Sequence, residues 1–420
     1  MARRRVAPVF PPAAPWVPSI TDCTNPVAIA PHQPRYNNRT MSAPIPSTEP
    51  ASARAVPIFA LPDHQVILGL LPDIEDRRWS TSEAVRRLGN RQLVPVAINP
   101  DPDHPLLYFA DLGSHPYREW QHIHSIRQLA QAGRIVEYFS TPAALLDCPN
   151  LVAMPRQPRG FILHVSRCGS TLLGKALVRA DGVGVIHQPS VLQHGFWAWI
   201  SGNWRSPEDW QPAANPLNRM RFQNLLNLLC QPRLADEKEI FIKFISWNCL
   251  YADFIRAAFP TVPAVFMYRH PVEVIASVLC QTSAVLTARG SRQAEFLTGA
   301  SALDLSAMDD VAYLSCCYVR YIRAILNAQP RPALLEFSAF VPGVLERVLA
   351  AAFAMRPDNH QLGRMREQFS IYSKDDLNQR AYRHDSSAKR ASLNHRQRHY
   401  VEQYCHAHWQ ELLNASQNII

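Results

Sequence analysis

Apolar residues along this chain switch repeatedly between continuous runs and helical spacing, and each switch marks an element. The clearest lies at 161–177. Phe-Ile-Leu-His-Val reads as a buried strand, Ser166-Arg167-Cys168-Gly169 interrupts it, and from Ser170 onward Leu172, Leu173 and Leu177 recur at helical spacing. The alternation continues downstream. Strands are expected at 183–187, 240–245, 264–268 and 332–337, and helices at 225–230, 248–259, 272–279 and 344–353. Gly182 is expected to end the first helix, and Pro271 to stand in the first turn of the helix after 264–268. This pattern predicts an α/β fold whose parallel sheet is flanked by helices on both faces. Residues 197–210 are aromatic and loop-like, suited equally to a substrate wall and to packing over the core.

Upstream, the pattern is that of a small α+β module. A strand with a turn is expected at 57–70, a helix at 80–88 capped by Ser80 or Thr81 and ended by Gly89, strands at 93–98 and 106–112, and a helix at 125–132 closed by Gly133. Residues 1–55 are rich in Pro, Ala, Ser and Asn without sustained periodicity and are expected to be disordered; Met41 is a second candidate start. The organisation expected is therefore 1–55 disordered, 56–154 a module of open role, and 155–420 a nucleotide-binding domain entered through a linker at 155–159.

Composition narrows the classes. The 420 residues carry a formal net charge of +9, which suits an anionic ligand, but no dense Lys/Arg block with interleaved aromatics marks a nucleic-acid surface. Nine cysteines, scattered and without Cys-x-x-Cys spacing, point to a reduced compartment, and Cys316-Cys317 reads as core. No run approaches the ~20 apolar residues of a membrane span, and the Pro-rich stretch behind the basic start is a poor signal-peptide core, so a cytoplasmic location is expected. His104, His115, His122, His124, Asp103 and Asp111 lie close in sequence, yet their spacing matches no metal site, and the histidines are expected in loops or at the surface. Oligomeric state is not legible.

The strand–loop–helix at 161–177 carries the chemistry. Loop N–H groups and the first N–H groups of the helix converge on one point, which attracts a phosphate or sulfate. Gly169 allows close approach, Ser170 and Thr171 add hydroxyls, and Arg167 offers a permanently charged fork. Gly169 to Lys175 also fits the P-loop spacing, but Ala176 stands where a Mg²⁺-binding Ser or Thr belongs, and the register would put Leu172 and Leu173 in a solvated loop. Arg269, at a strand end before a helix start, makes a second anion site or, alternatively, a capping or ion-pairing arginine. Lys243 lies on the strand between the two, and Gln188 follows the 183–187 strand.

Two of these stretches, in order, resemble the nucleotide-binding motifs of sulfotransferases that use 3′-phosphoadenosine 5′-phosphosulfate. In that family the first motif is a basic residue before Ser-Gly-Thr-Thr, matched by Arg167-Cys168-Gly169-Ser170-Thr171. The second is an Arg-Asp-Pro before a helix bearing a serine, matched by Arg269-His270-Pro271 with Ser277 eight positions after the arginine. The resemblance runs from about Phe161 to the C-terminus. It implies a P-loop-like sulfotransferase fold and sulfuryl transfer, without a metal, to a hydroxyl or amine of a small-molecule or peptide acceptor.

Carried over by position, Gly169, Ser170 and Thr171 would hold the 5′-phosphosulfate, with Cys168 in the usual serine's place. Arg167 would be catalytic, Lys243 would lie near the bridging oxygen, and Arg269 and Ser277 would bind the 3′-phosphate. Arg383, Lys389 and Arg390 match a basic C-terminal loop that closes over that phosphate, or form a solvated basic face. The family's general base, a His or a Glu by branch, is replaced by Ile245 and Gln188. His187 and His194 are the remaining candidates, and an amine or phenolate acceptor would lessen the need. Two other readings stay open: a P-loop kinase or NTPase, which lacks an acid at the strand ends to hold Mg²⁺, and a nucleotide-binding module without catalysis.

Overall fold

The computed structural model describes residues 62–416 except 91, 211–214, 282, 376, 378–379 and 384–385, so the expectation for 1–55 lies outside the described residues. The first three strands, β1 (Leu93–Asn99), β2 (Leu106–Asp111) and β3 (Tyr138–Pro142), form an antiparallel sheet in chain order. Helices α1 (Asp63–Leu70), α2 (Thr81–Arg87) and α3 (His122–Gln131) belong to the same part of the chain. The start of α2 is set by a capping box in which Ser80 Oγ accepts from Glu83 N and the Glu83 carboxylate accepts from Ser80 N.

The second sheet contains β4 (Gly160–His164), β5 (Val183–His187), β6 (Glu239–Lys243), β7 (Ala264–Tyr268) and β8 (Ala333–Glu336), all parallel, in the order β5-β6-β4-β7-β8. Its connections include α4 (Ser170–Leu177), α5 (Gly195–Ile200), α6 (Pro216–Leu229), α7 (Ala252–Ala258) and α8 (Pro271–Cys280). Every residue of β4 and β7 is buried, as expected of central strands covered on both faces. From β4 the chain runs outward to β5, returns to β6, then crosses β4 to reach β7 and β8. The loop after β4 therefore sits where the strand order reverses, at the carboxyl ends of the strands, the place where such sheets receive ligands.

The change of sheet falls within 143–159, and one apolar core runs through both sheets. β1 is buried along almost its whole length because the larger part of the chain covers its second face. Gly195 in α5 lies so close to β1 that a Cβ there would come within 2.2 Å of the Ile98 carbonyl oxygen. The Asp63 carboxylate accepts from Gly195 N (3.2 and 3.3 Å), and Arg233 donates to the carbonyls of Gly113 and His115 (3.1 and 2.8 Å).

Several expectations need correction. Residues 63–70 are helical, not a strand with a turn: Pro62 precedes the first turn, and Val66 and Ile67 are its buried apolar positions. The first helix of the main sheet ends at Leu177, and Gly182 instead makes a left-handed turn (φ +74°) into β5. The helix expected at 248–259 is a 3-10 turn (Ser246–Tyr251) followed by α7. Residues 195–210 form short helices that pack over the core: Trp197 stacks on Tyr251 at 4.2 Å, and Trp204 Nε1 donates to Tyr251 Oη (2.8 Å). His122 is buried, with Nδ1 3.1 Å from Ser190 Oγ, and half-buried His115 pairs with Glu119 (3.0 Å). The module's histidines do not all lie in loops or at the surface because its sheet is covered. Among the described residues no single helix is long and apolar enough to cross a membrane.

Candidate anion-binding site

The loop between β4 and α4 holds two residues in the left-handed region, Arg167 (φ +60°) and Gly169 (φ +79°). For Gly169 this conformation is free of strain. For Arg167 it costs of order 1–3 kcal/mol, a cost usually retained at ligand sites. Gly169 is also the N-cap of α4, and no side chain caps that end. The helix thus begins with Ser170 and Thr171 buried, and its first N–H groups have no intrahelical acceptor. A helix start of this kind offers its free N–H groups to water or to an anion. Leu172, Leu173 and Leu177 are buried, and Lys175 lies within the helix and not in the loop, so the spacing from Gly169 to Lys175 does not form a phosphate-binding turn.

Around this start the topology gathers the cations named from sequence. Arg167 Nε donates to Ser277 Oγ on α8 (2.9 Å), and Arg167 also donates to the Gln281 side chain. Arg269, at the end of β7, donates from Nε to Glu273 Oε2 (2.6 Å), from one terminal nitrogen to the Arg167 carbonyl (3.2 Å) and from the other to Ser386 Oγ (2.8 Å). Its guanidinium lies 4.5 Å from the ring centre of Phe337. Arg167, Arg269 and Ser277 therefore form one contiguous group, in which Arg269 is ion-paired with Glu273.

Glu273 balances part of this charge. Its buried carboxyl is raised by burial but held below the usual carboxylate range by Arg269, Ser386 and Arg390, whose Nε donates to Oε1 (2.7 Å). Arg390 and Lys389 belong to the helix Ser386–Ser392, which packs on α8, whereas Arg383 is exposed.

Lys243 ends β6 with only 1% of its surface exposed, and its ammonium makes no hydrogen bond or ion pair among the described residues. Burial pushes it down to about 7, opposed by the nearby Cys168 thiol. A buried cation with no acid beside it is unfavourable until an anion arrives. Cys168 turns its side chain away from the loop: Sγ donates to the Met267 carbonyl (3.1 Å), and burial pushes the thiol up to about 11, so it offers the site only its backbone N–H.

The histidines lie elsewhere. His187 packs against α4, where a Cβ on Gly174 would come within 2.2 Å of its Nε2, and burial followed by Lys243 and Lys175 pushes it well below the usual imidazole range. His194, against Trp204 at 5.3 Å, is pushed by burial down to about 4. Gln188, left-handed at φ +51°, follows β5 and accepts from Gln121 Nε2 of the small module (2.7 Å).

Sequence reasoning missed Lys374. It lies in the segment where Ile371 pairs with Ala381, is half-buried, and rests 5.0 Å above the Trp120 ring. Its local sequence, Ser-Lys-Asp, reads as a solvated turn, and only the tertiary fold reveals its surroundings. Among the described residues no group of three or more His, Cys, Asp or Glu is arranged to hold a metal ion. No protein-family model matches the chain, and no curated protein matches it significantly.

Proposed function

We propose that this site binds 3′-phosphoadenosine 5′-phosphosulfate and that the protein transfers its sulfuryl group to a hydroxyl or amine acceptor. The observation that carries this reading is the uncapped start of α4, with Arg167, Arg269 and the unpaired Lys243 at the strand ends around it. On this reading the α4 N–H groups and Lys243 hold the 5′-phosphosulfate, and Arg269 and Ser277 receive the 3′-phosphate. The S–O bond to the 5′-phosphate breaks, its electron pair leaving on the oxygen of adenosine 3′,5′-bisphosphate, as sulfur bonds to the acceptor oxygen or nitrogen, and any proton on the acceptor passes to solvent. Fixed cations and backbone donors suit this chemistry because the developing charge falls on the departing phosphate.

Gln188 cannot take up the acceptor's proton, and His187 packs against α4, so an amine or a phenolate is the acceptor class that best fits. The kinase or NTPase reading has less support because Lys175 lies within α4. The cytoplasmic location, acceptor chemistry and domain roles belong to the same proposal.

The test is a transfer assay with labelled donor and a panel of amines and phenols. Wild type is expected to label at least one acceptor class, and Arg167→Ala is expected to lose at least about a hundredfold, the scale of one charge-stabilising donor, while keeping its circular dichroism spectrum. Full activity in Arg167→Ala would remove that residue from the chemistry. A wild type that binds donor and never labels an acceptor would identify a binding module.

A further inference from the structure

Beyond the loop, β6 and α8, a fourth element reaches the cation cluster. Tyr372 N donates to the Arg380 carbonyl (2.7 Å) and Tyr382 N to the Ser370 carbonyl (2.8 Å), so 370–372 and 380–382 pair, and Lys374 beside them is half-buried. The ammonium lies over the Trp120 ring, which belongs to the small module. Trp120 precedes Gln121, whose side chain donates to Gln188, and Gln188 N donates to the Lys243 carbonyl (2.6 Å), which sets Lys374 toward the end of β6; Arg167, Lys243, Lys389 and the Cys168 thiol act on it electrostatically. Among the described residues no ion pair to Lys374 is formed, and the carboxylates nearest in the chain and in the cation cluster are engaged elsewhere. Asp375 accepts from the backbone N–H groups of Leu377 (3.1 Å) and Arg380 (2.7 Å), and Glu273 is engaged by Arg269 and Arg390. A half-buried ammonium repelled by other cations is stabilised when a ligand with more than one negative charge binds beside it.

We propose that Lys374 binds the terminal, transferable group of a phosphosulfate- or diphosphate-like anion, closing the site between Arg167 and Lys243, with Trp120 as the apolar floor that positions it. This rests on the donor site proposed above and gives the small module a part in the chemistry: it positions a cation at the reacting group. Burial, followed by Arg167, Lys243 and Lys389, pushes the Lys374 ammonium down to about 7, so ligand binding at pH 8 is expected to draw a proton onto it.

The test is calorimetric titration of wild type, Lys374→Met and Lys374→Arg with inorganic pyrophosphate, 3′-phosphoadenosine 5′-diphosphate and adenosine 3′,5′-bisphosphate. Lys374→Met is expected to weaken the first two about tenfold, the worth of one charge-assisted hydrogen bond, and the bisphosphate, which lacks the terminal group, much less. Lys374→Arg is expected to restore most of the loss. Unchanged pyrophosphate affinity in folded Lys374→Met overturns the proposal, as does an equal loss for the two nucleotides. Should Lys374→Met fail to fold, Trp120→Leu is expected to give the same pattern and is read by the same criteria. Wild type that binds pyrophosphate but not the bisphosphate refutes the donor reading, and Lys374 is then judged on pyrophosphate alone. Wild type that binds neither overturns both.

Discussion

Lys243 shows how a single buried cation weakens the fold that holds it. Its ammonium ionises near 10.5 in the unfolded chain and at about 7 in the fold, so between those values the unfolded chain holds more protons and stability rises with pH. Below pH 7 the full cost is present, at most ~5 kcal/mol by linkage. Lys243→Met is therefore expected to melt higher than the ligand-free wild type at pH 7, with the gap narrowing toward pH 10, and to lose pyrophosphate binding. Thermal unfolding across that pH range checks this, and a variant that melts lower at pH 7 would show that the ammonium has a stabilising partner. Arg167 carries its cost in the backbone instead, at φ +60°.

At the scale of elements, α4 is fixed by contacts at both ends. Gly169 has no room for a side chain because a Cβ would come within 2.6 Å of Phe337, and Gly174 is pressed against His187. Gly174→Ala is expected to destabilise by about 1–3 kcal/mol, the usual cost of overpacking, through displacement of His187. Urea unfolding measures this, and an unchanged midpoint would mean that the imidazole moves aside freely.

The same contrast explains what was legible in the sequence. The strand, loop and helix at 160–177, the 264–268 strand and the Pro271 helix were readable because their apolar spacing and punctuation are local. So were the cations Arg167, Lys243 and Arg269, which stand at strand ends. Residues 63–70 were misread because a short apolar run fits either period. β3 and the helix His395–Ser416 were not foreseen, and Lys374 was not singled out, because what distinguishes each is its tertiary neighbours. The bent path through 246–258 is another such case: Trp247 and Tyr251 are set by packing around Trp204.

At the scale of the whole molecule, the two sheets share one core, and buried polar groups join the parts of the chain that carry them. Gln121 meets Gln188, His122 meets Ser190, and Asp63 receives Gly195 N, with burial pushing that carboxyl up to about 8. The small module is thus tied to the segment that follows β5, beside the end of β6. The central claim is that these ends form a donor site for 3′-phosphoadenosine 5′-phosphosulfate whose charge is met by the chain's own cations. Its most direct test is calorimetric titration with adenosine 3′,5′-bisphosphate beside ATP, each with and without Mg²⁺. The account predicts tight bisphosphate binding that Mg²⁺ does not improve, and weak binding of ATP. Binding of ATP alone, and only with Mg²⁺, would contradict it.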